Sequence, residues 1–187
     1  VDGTGAPAVL GALGVQGGRI VFMGDDAGQT AQRVIDAEGR VLAPGFIDPH
    51  THYDAQICWD PLLTSSPWHG VTTVMMGNCG VGLAPCRFDA REVLLRDLEN
   101  VEGIPYQAMK AGVPFTWETH GEFLDAVEQG GLAINAGALV SLTALRYFVM
   151  GESALERSAT AAEIDALCRA FRQALSTGAF GFSSDLL

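Results

Sequence analysis

From Pro44 onward the sequence alternates apolar strands with amphipathic helices, and this alternation constrains the fold more than any other feature. The strands are "APGFIDPHTH", "GVTTVMMGN", "LAINAGALVSL" and "GAFGFSS". The helical stretches between them carry their own start signals. Asp89 with Glu92, Thr119 with Glu122 and Thr160 with Glu163 each have the spacing of a capping box. Gly130 and Gly178 supply left-handed stops. Consecutive strands joined through helices need right-handed crossovers and pair in parallel, in a sheet that is either doubly wound or closed as a barrel. A closed (β/α)8 barrel takes eight strands and roughly 250 residues, so four strands make only about its first half.

Residues 1 to 43 follow a different rule. No helical period is present, and two pairs of short runs are separated by Gly17-Gly18 and by Glu38-Gly39, which predicts two tight hairpins. The domain boundary is therefore expected at residues 43 and 44.

Eleven basic residues against 22 acidic ones give a net charge of -11, with no run of Lys or Arg. Such a surface repels nucleic acid and anionic membranes. No apolar stretch approaches the roughly 20 residues that span a bilayer, and the N-terminus lacks the pattern of a secretory leader. A soluble, cytoplasmic protein is expected. The four cysteines show no CxxC spacing and read as thiols. Cys168 shares a helical face with Ile164, Leu167, Phe171 and Leu175, which predicts core packing.

The chemistry concentrates in "GFIDPHTHYD", residues 45 to 54. On an extended strand residues i and i+2 share a face, so Asp48, His50, His52 and Asp54 would project together. Two imidazoles then converge on one point, with Asp48 and Asp54 available to hold their second nitrogens. Taken alone, so short a pattern as HxH reads more readily as two polar residues at a strand end with no metal. The second strand, however, ends in a glycine-bracketed turn that presents Cys79, and a thiolate is a compatible third ligand for zinc. Two strand ends with ligand-capable side chains at equivalent places favour a metal. His69 lies at the opposite end of the second strand. His120 follows an N-cap and reads as solvated, Asp97, Glu99 and Glu102 read as a wet acidic helix end, and Trp59, Trp68 and Trp117 read as partly buried packing.

The segments "GRIVFMGD", "VIDAEGRVLAPGFIDPHTHYDAQICWDP", "WHGVTTVMMGNCGVGLAP", "LENVEGIP" and "GAFGFSS" resemble the metal-dependent amidohydrolase superfamily, and within it the N-acyl-D-amino-acid deacylase (D-aminoacylase) branch. The "GNCG" turn is the sharper marker of that branch. The resemblance implies an α/β fold, the first half of a TIM-type (β/α)8 barrel over residues 44 to 187, preceded by part of a small β-sandwich over residues 1 to 43. It implies Zn2+ held by His50, His52 and Cys79, with the cysteine standing where related branches use a carboxylated lysine. The implied reaction is hydrolysis of an N-acyl-D-amino acid, a small-molecule substrate, to a carboxylate and a free D-amino acid. The remaining histidine ligands and the general base are expected beyond Leu187, and Leu142 stands where the family pattern has a histidine.

The sequence opens on Val1 and stops at "SSDLL", just past a strand, so further chain is expected at both ends. Two alternatives stay open at this point. One is an amidohydrolase acting on a cyclic amide or another N-acyl compound. The other is a non-catalytic half-barrel whose unpaired strand edges drive it into a homo-oligomer.

Overall fold

The computed structural model describes residues 1–185, so the last two residues of the barrel segment expected over 44–187 lie outside the described residues. The chain divides into two compact units at Gly45 and Phe46.

In the first unit, β1 (Ala12–Gln16) and β2 (Arg19–Gly24) form an antiparallel hairpin with Gln16 opposite Arg19. Gly17 and Gly18 both have positive φ, 56° and 74°, as a two-residue turn of this hand requires. The second expected hairpin does not form among the described residues. Its turn is present, with Glu38 and Gly39 at φ 52° and 76° and the Arg40 N–H donating to Ala37 O. Its arms do not pair with each other, and one of them is partly engaged elsewhere. The Asp36 carboxylate accepts from the Glu38 N–H, the Leu42 carbonyl accepts from the amino terminus, and Pro44 has no N–H to give. Val34, Ile35, Val41 and Leu42 stay exposed.

In the second unit, β3 (Phe46–Asp48), β4 (Val71–Met76) and β5 (Asn135–Ala138) form a parallel sheet in that order. The third expected strand is split at Leu139. Its first half, β5, pairs with β4, and its second half, β6 (Val140–Ser141), pairs in parallel with β7 (Phe182–Ser183). Leu139 N–H donates to Met76 O, then Val140 N–H to Gly181 O, so the strand passes from one neighbour to the next. Within each sheet strand order follows chain order, and the parallel neighbours are joined by long crossover connections.

Between β4 and β5 lie α1 (Arg91–Glu102), α2 (Tyr106–Gly112) and α3 (His120–Gly130). Between β6 and β7 lie α4 (Leu142–Met150), α5 (Ser153–Glu156) and α6 (Ala161–Ser176). Val74 and Met76, on one face of β4, bury against Leu83, Leu94, Leu98, Met109, Trp117 and Phe123. Trp117 is core, its Nε1–H donating to Leu83 O, whereas Trp59 and Trp68 are exposed. No helix among the described residues is long and apolar enough to cross a membrane.

Two of the three capping boxes form, at Thr119 with Glu122 and at Thr160 with Glu163. The third does not. Asp89 pairs with the Arg87 guanidinium, Glu92 pairs with Arg96 one turn on, and a 3-10 turn over Phe88–Ala90 leads into α1 instead. The stop of α3 falls on Gly131, not Gly130.

Cys168 is exposed, contrary to expectation. Leu167, Ala170, Phe171 and Ala174 of α6, spaced i, i+3, i+4, i+7, are buried or half-buried and pack with Val140 and Leu145. Facing the two alanines inward brings the helix close and leaves Ile164, Cys168 and Leu175 outside.

The acidic end of α1 is not a wet face either. Both carboxylate oxygens of Glu102 are buried without a hydrogen-bond partner, and burial, reinforced by Asp54, pushes its carboxyl up to about 8. Burial also raises Asp97, while Glu99 accepts from the Tyr106 N–H at 2.7 Å.

Candidate metal centre

β3 ends at Asp48 because Pro49 cannot donate to a ladder. The chain then turns locally. The Asp48 carboxylate accepts from the His50 N–H at 3.1 Å, and both the Thr51 N–H and its hydroxyl donate to Met75 O, at 2.9 and 2.7 Å. Thr51 thereby pins the segment to β4, and His50 and His52 flank the pin. Their rings stand 5.4 Å apart between centroids. Burial, and next the neighbouring His50, hold His52 below the ordinary histidine range, which keeps its imidazole neutral, the form that binds metal.

β4 ends at Met76 in the turn Gly77-Asn78-Cys79-Gly80, of which Gly77, Cys79 and Gly80 have φ of 78°, 53° and 69°. A Cβ at Gly77 would meet Leu139 O at 2.2 Å, and one at Gly80 would meet Asp185 N at 2.6 Å. Only glycine fits either place. Between them Cys79, a residue with a side chain, is held in the left-handed region, and its Sγ lies 3.2 Å from His50 Nε2. One potential ligand atom from each of His50, His52 and Cys79 falls within 4.8 Å of the others. The structure thus brings together all three residues singled out from the sequence.

The expected carboxylate supports are arranged otherwise. Among the described residues neither Asp48 nor Asp54 bonds an imidazole. Asp48 holds the backbone of His50, and Asp54, 2% exposed, accepts from the Gly77 N–H at 3.1 Å. Asp54 falls on the other side of the chain from the histidines because extended alternation stops at Pro49. Burial pushes its carboxyl up to about 7 against the Gly77 hydrogen bond.

His69 ends a 3-10 turn at the start of β4, away from the cluster, as expected. His120 is buried, not solvated. It begins α3, burial lowers it below the ordinary histidine range, and its Nδ1 has no partner among the described residues. Leu142 is half-buried as the first residue of α4, and nothing in the structure explains its departure from the family pattern.

Sequence reasoning missed the groups that hold the turn. Asn78 donates from its side chain to Thr51 O and Met75 O, Ser141 donates to Gly80 O, and Ser183 donates to Gly77 O while accepting from the Gly80 N–H. The available signal was a serine at the end of each of the last two strands.

The family model for the amidohydrolase family matches residues 33–186 of this chain. The chain belongs to that family. Among curated amidohydrolase relatives it is 40% identical over 186 residues to an N-acyl-D-aspartate deacylase of Alcaligenes xylosoxydans xylosoxydans, covering 98% of this chain and 34% of that protein. It is 35% identical to a D-aminoacylase of the same organism, over 98% of this chain and 35% of the other.

Among solved structures it superposes on a D-aminoacylase described as defining a novel subset of amidohydrolases, with a TM-score of 0.81 and 36% identity, over 97% of this chain and 36% of that one. It also superposes on an N-acyl-D-glutamate deacylase from Bordetella bronchiseptica complexed with zinc and a phosphonate inhibitor, with a TM-score of 0.80 and 34% identity, over 99% of this chain and 36% of that one. The chain therefore spans about a third of the length of these amidohydrolases, and its fold is that of their N-terminal part.

Proposed function

We propose that the intact protein is a zinc-dependent deacylase that hydrolyses the amide bond of N-acyl-D-amino acids, with His50, His52 and Cys79 among its metal ligands. In this reading residues 44 to 187 are the first four βα units of a (β/α)8 barrel, residues 1 to 43 are part of a β-sandwich, and the protein works in the cytoplasm on a small-molecule substrate. The observation that carries it is the convergence of two imidazoles and a thiol at the ends of neighbouring parallel strands, in a chain whose relatives are deacylases of N-acyl-D-amino acids.

The donor set fits zinc. Histidine nitrogen and cysteine sulfur are both zinc donors, and a site with three protein ligands leaves a position open for a water or a substrate. The buried His52 Nδ1 has no hydrogen-bond partner among the described residues, so none of them competes for that nitrogen. Zinc, when bound in such a site, supplies a water acidified toward neutrality and a polarised amide carbonyl.

The chain's own residues do the rest of the work described here. Thr51 fixes the separation of the two imidazoles by tying their backbone to Met75 O, Asp48 sets the backbone at His50, and burial keeps His52 unprotonated. The glycines on either side of Cys79 let the strand end turn back sharply enough to aim the thiol at His50.

The reading is tested on the intact protein by zinc content and by turnover of N-acetyl-D- and N-acetyl-L-amino acids beside a hydantoin. Wild type is expected to carry zinc and to hydrolyse the D series, and Cys79→Ala to lose both. Cys79→Ala with unchanged zinc and activity would remove the thiol from the site. Hydrolysis confined to the hydantoin would replace the substrate class.

A further inference from the structure

We propose that Ser183 is a positioning residue for Cys79, so that the metal affinity of the second strand's ligand is set by a hydroxyl on the fourth strand. This rests on the reading of Cys79 as a ligand. Cys79 occupies the left-handed region at φ 53°, which a residue with a Cβ keeps only where its surroundings hold it there. The restraints on its turn are therefore part of what aims the sulfur.

The turn closes on itself where the Val81 N–H donates to Asn78 O at 3.1 Å, and its side-chain restraints come from four places. Asp54, after β3, accepts from the Gly77 N–H. Asn78 ties itself back to Thr51 O and Met75 O. Ser141, at the end of β6, donates to Gly80 O, which also accepts from the Thr143 N–H. Ser183, on β7, donates to Gly77 O and accepts from the Gly80 N–H at 3.0 Å.

The first three each hold one side of the turn. Ser183 alone among them spans it, one hydroxyl bonding the residue two before Cys79 and the residue after it. Its single donor and one of its acceptor sites are used, and its position is fixed by strand pairing opposite Ser141. Without that oxygen the Gly77 carbonyl and the Gly80 N–H lose their shared partner. The local reason for Cys79 to remain left-handed, with its sulfur beside His50 Nε2, is then weakened.

The segment that follows Ser183 closes on the same turn. The nearest atoms to a Cβ at Gly80 would be Asp185 N and the Ser184 backbone. β7 with Ser184 and Asp185 thus forms one wall of the turn, and the hydroxyl is a polar contact of that wall with it.

The test uses the intact protein. Zinc affinity is measured by chelator competition, and the cobalt-substituted protein is examined for the sulfur-to-cobalt charge-transfer band, for wild type, Ser183→Ala, Ser183→Thr, Ser183→Val and Cys79→Ala. Outer groups that orient a ligand typically change metal affinity 10- to 100-fold when removed. Ser183→Ala is expected to weaken zinc binding by about that factor and to shift or diminish the band, with far-UV circular dichroism unchanged.

Thr and Val have nearly the same shape and differ in the hydroxyl, so Ser183→Thr is expected to stay near wild type while Ser183→Val follows Ser183→Ala. This pair carries the comparison if the alanine variant does not fold. Equal affinities and identical bands in Thr and Val would overturn the role of the hydroxyl while leaving the metal site standing. A wild-type protein that binds no zinc, or a Cys79→Ala variant that keeps both affinity and band, would instead overturn the ligand assignment, and the proposal for Ser183 with it.

Discussion

Replacing Glu102 by glutamine should change the pH dependence of stability more than stability itself. Glu102 is the last residue of α1, where the helix end already disfavours negative charge, and both its oxygens are buried without a partner. Its carboxyl ionises at about 8 in the folded chain against 4.5 for an unperturbed glutamate. Between those values the folded state holds a proton that the unfolded state has lost. Stability therefore falls as pH rises through this window and levels off above about 8. At about 1.36 kcal/mol per pH unit the interval sets a ceiling of about 5 kcal/mol, and relaxation with water entry should reduce it to roughly 2 to 4 kcal/mol. Glutamine cannot ionise, but it buries an amide that needs partners, at a pH-independent cost of about 1 kcal/mol. Urea unfolding of wild type and Glu102→Gln, followed by tryptophan fluorescence at pH 5, 7 and 9, should give profiles that cross, with wild type equal or ahead at pH 5 and the variant ahead at pH 9. The repulsion between Asp54 and Glu102 is lost with the carboxylate, so it is part of the difference between the two profiles. A difference that stays constant from pH 5 to pH 9 would refute the burial of an ionisable carboxyl at this place.

Gly77→Ala should destabilise the protein by about 3 kcal/mol, since its Cβ would lie 2.2 Å from Leu139 O at a positive φ. Gly130→Ala is the matched control, because nothing lies within 4 Å of a Cβ there, and its stability should be unchanged or slightly higher in the same urea titration. Thr160→Ala removes the cap that accepts from the Glu163 N–H and should cost about 1 kcal/mol, read as faster amide hydrogen exchange in the first turn of α6 with α3 unaffected.

What could be read from the sequence was whatever depends on neighbours a few residues apart. Two capping boxes formed because a threonine and a glutamate three positions on need only one turn of helix between them. The box expected at Asp89 failed because Arg87, only two residues away, offered its carboxylate a charged partner first. Gly17-Gly18 closed a hairpin. The equally good turn at Glu38-Gly39 did not: Asp36 holds the turn's own Glu38 N–H, and on the following arm the Leu42 carbonyl goes to the amino terminus while Pro44 has no N–H to pair. The convergence of His50, His52 and Cys79 was legible because each stands at the end of a strand and parallel neighbours bring such ends together. None of these expectations required knowing which helix covers which face.

The misses all required that knowledge. Glu102 and His120 have ordinary sequence surroundings for exposed residues, yet the crossover between β4 and β5 buries both, and burial is the main cause that moves their ionisation. Cys168 was assigned to the core from a helical period that fits two faces of α6 about equally, and the small side chains of Ala170 and Ala174 decided between them through close packing with Val140 and Leu145. Ser183 is the sharpest case. In sequence it is one of two serines at a strand end, 104 residues after the cysteine whose turn it spans. A turn that must hold a cysteine in a left-handed conformation needs donors and acceptors on both sides, and beyond what Asn78 supplies from within the turn they come from Asp54, Ser141 and Ser183, all distant from it in sequence. Local rules can therefore name the candidate ligand, while the residues that hold its turn are fixed by the order in which the strands assemble.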